Sequence, residues 1–314
     1  MSDDTGGIAR RVTEEIPTSL DGMRIDRVVS LIADISRSAA AALIEVGGVS
    51  VEGKVVTAGK EKVTQGQTIS VDIAQAAGPA IPLADDSRQL HIVYADEDVL
   101  IVNKDAGLVV HPGAGNQAGT MVNYLLAAYP DIVDVGDRMR PGLVHRLDAG
   151  TTGLVAVARN NAAYESLVGQ LAARSVTRVY SVLVWGNPAS MHGVIDAPIG
   201  RDQRDPTKMA VVVDGRPSRT HYAVEQMFYT PKESALVECR LETGRTHQIR
   251  VHLASIGHSV VGDPTYGGVR AGLRVGRPML HARELAFDHP RTGERCTFHA
   301  PQPADFVELL AGLS

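Results

Sequence analysis

The segment from Gly142 to Leu154 brings together side chains that acid–base and nucleophilic chemistry uses. It reads Gly-Leu-Val-His-Arg-Leu-Asp-Ala-Gly-Thr-Thr-Gly-Leu, so Asp148 is its one carboxylate and follows His145 and Arg146 closely. A carboxylate in such a loop can serve as a nucleophile or a base. An aspartate in a turn more often caps a helix or bonds to its own backbone. Both interpretations fit this segment when it is taken alone.

Two other segments carry groups that could act together with Asp148. The run 241–252, Leu-Glu-Thr-Gly-Arg-Thr-His-Gln-Ile-Arg-Val-His, can begin a helix near Thr246. An arginine at such a helix start, here Arg245, could pair with a buried carboxylate and keep it ionised. Tyr180 stands at the head of an apolar strand, where it is either a functional aromatic residue or an ordinary core or edge residue.

The sequence does not favour a metal site or a nucleotide-binding loop. His247 and His252 are five residues apart, which does not place them on one helical face, and no HExxH motif accompanies them. The run 48–55 resembles a phosphate-binding loop, but Val55 replaces the Ser/Thr that would bind magnesium, and the run is predicted to be a hairpin. We therefore expect no catalytic metal.

The charges are distributed unevenly along the chain. Its 314 residues carry 31 Lys+Arg and 36 Asp+Glu, a net charge of −5. Residues 1–137 hold 10 basic and 20 acidic residues, whereas 138–219 hold 11 and 6, and 240–283 hold 7 and 2. The positive charge of the two later blocks is nearly all arginine, which suits phosphate and stacks on bases. We expect these blocks to line an anion-binding cleft, the alternative being a mixed solvated surface.

Composition excludes several classes of protein. The chain is 44% hydrophobic and 21% charged, unlike disordered or fibrous proteins. Its longest stretch without Asp, Glu, Lys or Arg, 106–130, contains Gly, Pro, His, Asn and Gln, so no membrane partner is expected. The acidic N-terminus lacks an apolar core, and two cysteines are too few for a disulfide framework. These features predict a cytoplasmic location.

The pattern of apolar residues predicts two domains of the α+β class. We expect a flexible arm over 1–16, a small module of two helices and short strands over 17–75, a linker over 76–90 and a large domain over 91–314. In the large domain, strand signals are dense and do not alternate regularly with helices. This arrangement favours a mixed, mostly antiparallel sheet over a doubly wound parallel one.

The combination of motifs resembles a known family. His145-Arg146-Leu147-Asp148 with Thr152-Gly153-Leu154, the run 243–252 and the tyrosine at 180 are similar to RNA pseudouridine synthases of the RluA type. Residues 1–75 resemble the S4 RNA-binding module that precedes the catalytic domain in many of these enzymes. The resemblance covers nearly the whole chain. It implies a pseudouridine synthase fold with a central active-site cleft, and no cofactor.

The resemblance also implies roles for individual residues. The expected catalytic residues are Asp148, Tyr180 and Arg245. Asp148 matches the essential aspartate, Tyr180 the tyrosine that packs on the target base and can assist proton removal from C5, and Arg245 the arginine that keeps the aspartate ionised. The expected substrate-binding residues are His145, Arg146, Leu147, Thr152 and Ile249. Candidate RNA contacts elsewhere are Arg37, Lys54, Arg201, Arg204 and Lys208. The expected substrate is a stem-loop of large-subunit ribosomal RNA, modified by a monomeric enzyme.

Two other functions remain as alternatives at this point. A non-catalytic assembly factor could bind ribosomal RNA through the S4-like module and the arginine blocks. A hydrolase could use Asp148 with His145, although a second carboxylate or a metal signature is missing from the motifs.

Overall fold

The computed structural model describes residues 11–33, 35, 37–72, 82–113, 116, 118–205 and 207–314; for 37 and 38 the description is limited to the backbone. The chain divides into two compact units, Met1–Ile81 and Pro82–Ser314. We call them the first unit and the second unit. The division lies within the expected linker over 76–90.

The described part of the first unit contains two helices packed on an antiparallel sheet. Its helices are α1 (Ile25–Ile32) and α2 (Arg37–Glu45), and its strands are β1 (Arg11–Glu15), β2 (Val49–Val51), β3 (Lys54–Val55) and β4 (Thr68–Asp72). The strands follow the order β1-β4-β2-β3 across the sheet. The apolar residues of α1 recur at helical spacing, so one face of the helix enters a core with Leu43, Ile44 and Ile69.

The expectation of a flexible arm is wrong for residues 11–16. Strand β1 pairs with β4 along its whole length, and Ile16, which follows it, is 1% exposed in the core. Strand β1 lies at the edge of the sheet and points most of its side chains to solvent, so its sequence is polar. Backbone hydrogen bonds hold it in the sheet, and the sequence pattern does not show them. Residues 1–10 lie outside the described part of the chain.

The run that resembled a phosphate-binding loop is a β-hairpin, as predicted. Strands β2 and β3 pair in antiparallel fashion, and the turn between them is Glu52-Gly53. Both turn residues have positive φ, 51° and 75°, as a two-residue hairpin turn requires. The backbone here is therefore committed to a turn and does not form a phosphate cradle before a helix.

The second unit is built on one large mixed sheet. Its described strands are β5 (Ile92–Ala95), β6 (Val99–Lys104), β7 (Thr152–Ala158), β8 (Thr177–Trp185), β9 (His192–Asp196), β12 (Arg219–Phe228), β13 (Ser234–Leu241), β14 (Leu280–Asp288) and β15 (Arg295–His299). They follow the order β5-β6-β7-β14-β8-β13-β12-β9 across the sheet, with β15 also paired to β14. A separate hairpin pairs β10 (Ile199–Arg201) with β11 (Met209–Val211). The expected mixed, mostly antiparallel sheet is confirmed.

The β7–β14 contact makes the sheet mixed, because these two strands run parallel. Ala282 of β14 lies opposite Gly153 of β7, where φ is +109°. A Cβ atom at Gly153 would lie 2.2 Å from the Ala282 carbonyl oxygen, so the strands meet this closely only because position 153 lacks a side chain.

Four helices accompany the large sheet among the described residues. They are α3 (Met121–Ala128), α4 (Asn161–Ala172), α5 (Gln248–Ser255) and α6 (Ala304–Ala311). The main core contains side chains of β6, β7 and β8 together with those of α3 and α4. Within the described residues, every helix is too short or too polar to cross a membrane.

Adding one methyl group at Gly153 is expected to destabilise the protein strongly. Gly153→Ala combines a strained backbone with a clash against β14, so we expect a loss of about 2–4 kcal/mol in the free energy of unfolding. Urea denaturation measures this loss. The control is Gly169→Ala in the middle of α4, where a Cβ atom has nothing within 4 Å and helix propensity should give a small gain. Equal effects of the two substitutions would contradict the role of the close contact.

Candidate active site

A single cleft in the second unit collects most of the residues singled out from the sequence. It has a volume of about 510 Å³. Its walls come from the loop before β7, the C-terminal part of α4, strand β8, and the segment from the end of β13 into α5. Among the lining residues are Arg140, Arg146, Arg174, Arg178, Arg245 and Arg250. The two basic blocks of the sequence therefore meet at one cleft.

Asp148 is held in this cleft by an arginine of α5. Nη1 of Arg250 donates to Oδ2 of Asp148 at 2.9 Å, and the Asp148 side chain is 19% exposed. The opposite side of the guanidinium donates to both oxygens of Asp263, at 2.6 and 2.9 Å. Burial disfavours the charge of Arg250, but its bonds to Asp263 and the charge of Asp148 outweigh burial and raise its pKa. A permanently charged arginine is therefore placed against the Asp148 carboxylate.

The expected partner of Asp148 was wrong: the structure assigns that role to Arg250 and not to Arg245. Arg245 lines the cleft, but its Nε points to the Pro217 carbonyl oxygen at 3.4 Å. Helix α5 begins at Gln248, whose side chain accepts a hydrogen bond from the Arg245 backbone N–H at 3.0 Å. Arg245 thus precedes the helix, whereas Arg250 is inside it. The sequence contains both arginines, and only the packing of α5 distinguishes them.

A second ring of contacts fixes Arg250. Its guanidinium lies over the Tyr266 ring at 5.1 Å from the ring centre. The Tyr266 hydroxyl in turn bonds to Nδ1 of His247 at 2.8 Å and accepts the Met209 backbone N–H at 3.0 Å. Nε2 of His247 is 3.9 Å from Asp148 Oδ2. Sequence reasoning considered His247 only as a metal ligand and missed this position beside the carboxylate.

Lys104 supports the loop that carries Asp148. It is 1% exposed at the end of β6, and Nζ donates to the carbonyl oxygens of Asp105, Leu108 and Ala149 at 2.9, 2.9 and 3.0 Å. Burial lowers the pKa of Lys104 to about 7. Sequence reasoning missed this residue too, although a lysine at the end of a predicted strand that begins with four apolar residues, 99–102, was a visible signal.

His145 is a neutral hydrogen-bond acceptor in the structure. Its Nε2 accepts the backbone N–H of Ala156 at 3.0 Å, and burial lowers its pKa to about 3. With Nε2 occupied in this way, the remaining ring nitrogen carries the proton, so His145 cannot act as a general base. The alternative of a hydrolase that uses Asp148 together with His145 therefore loses its base.

The remaining expected cleft residues fall into three groups. Leu147, Tyr180 and Ile249 are buried and line the cleft, and burial raises the pKa of Tyr180. Arg146 is exposed, and its Nη1 donates to Nε2 of His111 at 3.0 Å.

Thr152 was expected to bind substrate, but it is outside the lining, and its hydroxyl bonds to Nδ1 of His281 at 2.9 Å. Because β7 begins at Thr152, that side chain turns into the protein, while its neighbour Thr151 lines the cleft.

The candidate RNA contacts outside the cleft stay predictions. Lys54, Arg201 and Arg204 are exposed, and Nζ of Lys208 pairs with Asp205 at 3.2 Å. The side chain of Arg37 lies outside the described residues, and its backbone begins α2.

Comparisons with known proteins address the identity of the second unit. The family model described as RNA pseudouridylate synthase matches residues 98–255, which include the cleft residues from Arg140 to Arg250. Over most of its length, the chain is 44% identical to an uncharacterised RNA pseudouridine synthase of Bacillus subtilis, covering 92% of this chain and 94% of the relative. The chain belongs to the RNA pseudouridylate synthase family.

Further comparisons concern a relative named for the ribosomal large subunit, a solved structure with the same fold, and the first unit. The chain is 44% identical to the ribosomal large subunit pseudouridine synthase D of Pseudomonas aeruginosa, covering 95% of this chain and 94% of that one. The structure of the human RNA pseudouridylate synthase domain containing 1 superposes with a TM-score of 0.57 at 31% identity, covering 72% and 88% of the two chains. An S4 domain model matches residues 23–69. The chain is thus an isomerase with a pseudouridine synthase fold and an S4 domain, as the resemblance implied.

The pairing of Arg250 gives a prediction that separates it from Arg245. Arg250→Met leaves Asp263, whose side chain is 0% exposed, buried without its partner. We expect the free energy of unfolding to fall by about 3–5 kcal/mol in urea denaturation. Arg245→Met removes the same charge from a partly exposed position, and we expect a change of about 0.5 kcal/mol. A larger loss for Arg245→Met would reverse the assignment.

The neutral state of His145 gives a prediction about acid stability. The folded-state pKa of about 3 lies below the unfolded value of about 6.5, so the stabilisation is complete above pH 6.5 and is lost as pH falls toward 3. His145→Gln keeps an acceptor for the Ala156 N–H but does not titrate. The stability difference between wild type and variant should therefore change with pH between 6 and 4, by up to about 1.4 kcal/mol per unit. A constant difference would mean that His145 is not held neutral.

Proposed function

We propose that this enzyme converts uridine to pseudouridine in a stem-loop of large-subunit ribosomal RNA, with Asp148 acting as the nucleophile or base. The observation that carries the proposal is the Asp148–Arg250 pair at a cleft lined by Tyr180. The relative from Pseudomonas aeruginosa, named for the ribosomal large subunit, supports the choice of RNA. A cytoplasmic location and a monomeric state are further predictions of this proposal.

The chemistry of the reaction fits the groups in the cleft. The N1–C1′ bond of uridine breaks, a C5–C1′ bond forms, and the proton leaving C5 is matched by one gained at N1. No water is consumed, and there is no net oxidation or reduction. A carboxylate can attack C1′ or C6, or can remove a proton, and the charged guanidinium of Arg250 holds that of Asp148 in place at 2.9 Å.

The cleft also offers what a flipped-out base requires. A uridine inside a stem-loop must leave its stack before its glycosidic bond can be reached, which costs a few kcal/mol. The Tyr180 ring can pack on the extruded base, and Leu147 and Ile249 provide apolar walls. Arg146 is exposed at the same cleft, where it can occupy the space left in the RNA. We assign Arg146, Leu147 and Ile249 to binding, Asp148 to catalysis, and Tyr180 to both.

Loss of the Asp148 carboxylate is expected to abolish isomerisation without abolishing RNA binding. Release of tritium from C5-labelled uridine in ribosomal RNA measures turnover, and we expect Asp148→Asn to lower kcat by about 10³-fold or more. Glu165→Gln on the exposed side of α4 removes one negative charge outside the cleft lining and serves as the control. Undiminished tritium release by Asp148→Asn would refute the assignment of Asp148. RNA binding without any new pseudouridine in the wild type would instead favour a non-catalytic assembly factor.

A further inference from the structure

Arg178 is a buried arginine whose charge has no carboxylate partner among the described residues. It is 7% exposed on strand β8, two residues before Tyr180. The other arginines that are buried among the described residues, Arg250 and Arg277, both bind carboxylates, those of Asp148 and Asp263 and that of Asp305. For Arg178, no carboxylate lies within ion-pair distance in the described part of the chain. A buried charge without a counter-charge is costly, so a neutralising group from outside the chain would have a large effect.

The hydrogen bonds of Arg178 leave much of its guanidinium unused. Nη2 donates to the carbonyl oxygen of Glu242 at 3.2 Å and approaches that of Leu241 at 3.5 Å. Nε is buried without any partner, and Nη1 makes no hydrogen bond to the described residues. An arginine has five N–H donors, and the two on Nη1 are free to bind a ligand at the cleft.

The side chain of Glu242, whose backbone carbonyl oxygen accepts from Arg178, is engaged elsewhere. The Glu242 carboxylate bonds to Nη1 of Arg174 at 3.0 Å and to Nε2 of His221 at 2.7 Å. It therefore does not neutralise Arg178, although its own backbone carbonyl accepts a hydrogen bond from that residue.

The surroundings of Arg178 are shaped to keep its guanidinium at the cleft. Arg178 is among the lining residues, as are Tyr180 and Gly244. A Cβ atom at Gly244 would lie 2.7 Å from Nη1 of Arg178, so the absence of a side chain there makes room for the guanidinium. Residues two apart on a strand point to the same face about 6–7 Å from each other, so Arg178 and Tyr180 can contact different parts of one nucleotide.

We propose that Arg178 binds a phosphate of the RNA strand at or next to the nucleotide that packs on Tyr180. This inference rests on the proposed function, in which RNA enters the cleft. A phosphate supplies the full negative charge that the protein does not, and its oxygens match the planar fork of an arginine. Binding then neutralises Arg178, which makes the affinity sensitive to a single position of the RNA backbone.

The test replaces single phosphates of the RNA by neutral groups. The probe is a stem-loop that the wild type modifies, prepared as a series in which each RNA carries one neutral methylphosphonate linkage at a 2′-O-methyl nucleotide. The reference RNA carries the same 2′-O-methyl nucleotide with an ordinary charged phosphate. We expect one linkage at which the wild type loses about 10–100-fold in affinity. Arg178→Met should bind the charged reference RNA about 10–100-fold more weakly than the wild type does. Making that one linkage neutral should not lower the affinity of Arg178→Met any further. Arg178→Lys should keep part of the sensitivity, because it keeps the charge.

Two controls keep the result interpretable. Arg138→Met removes one charge from an exposed arginine outside the cleft lining, and it should keep the wild-type linkage profile. The Tm of Arg178→Met should be at or above that of the wild type, since an unneutralised buried charge is removed. A lower Tm together with the wild-type linkage profile would instead make Arg178 a support for the Leu241 and Glu242 carbonyls, and would overturn the inference.

Failure of this inference can be told apart from failure of the proposed function. If the wild type releases no tritium from ribosomal RNA, the proposed function fails. If the wild type modifies the stem-loop but Arg178→Met has the same linkage profile as the wild type, the phosphate contact alone is refuted.

Discussion

The guanidinium of Arg250, shared between Asp148 and Asp263, is the interaction on which the site depends. Its three charged groups come from a loop before β7, from helix α5 and from the turn after α5. Charged groups removed from water require close and well-directed partners, because desolvation otherwise costs more than their attraction returns. The three segments can therefore approach only in the arrangement that places Asp148 at the cleft.

The surrounding structure holds each end of this bridge in place. Asp263 accepts the backbone N–H groups of Thr265 and Tyr266, so it cannot turn away from Arg250. On the opposite side, Lys104 anchors the Ala149 carbonyl next to Asp148. A carboxylate fixed on both sides is oriented before substrate arrives, and such preorganisation is a large part of enzymatic rate enhancement.

The distribution of charge reconciles an acidic chain with an RNA substrate. The net charge is −5, yet six arginines line one cleft of the second unit. Three of them, Arg140, Arg174 and Arg250, are paired with acidic residues of the protein, whereas Arg178 has no such partner in the described part of the chain. Attraction for a polyanion depends on this local arrangement of charges, which the net charge of the 314 residues does not reveal.

Much of this molecule could be predicted from local sequence. The helical spacing of Ile25, Val28 and Val29, the Glu52-Gly53 turn and the motif around Asp148 concern residues close together in the chain, and each indicates its structure directly. Features formed between distant segments were missed or misassigned. They include the parallel contact of β14 with β7, the β1 edge strand, the choice of Arg250 over Arg245 and the inward turn of Thr152. Periodicity and turn chemistry act over a few residues, whereas pairing of strands and burial of charges depend on which remote segments the fold brings together.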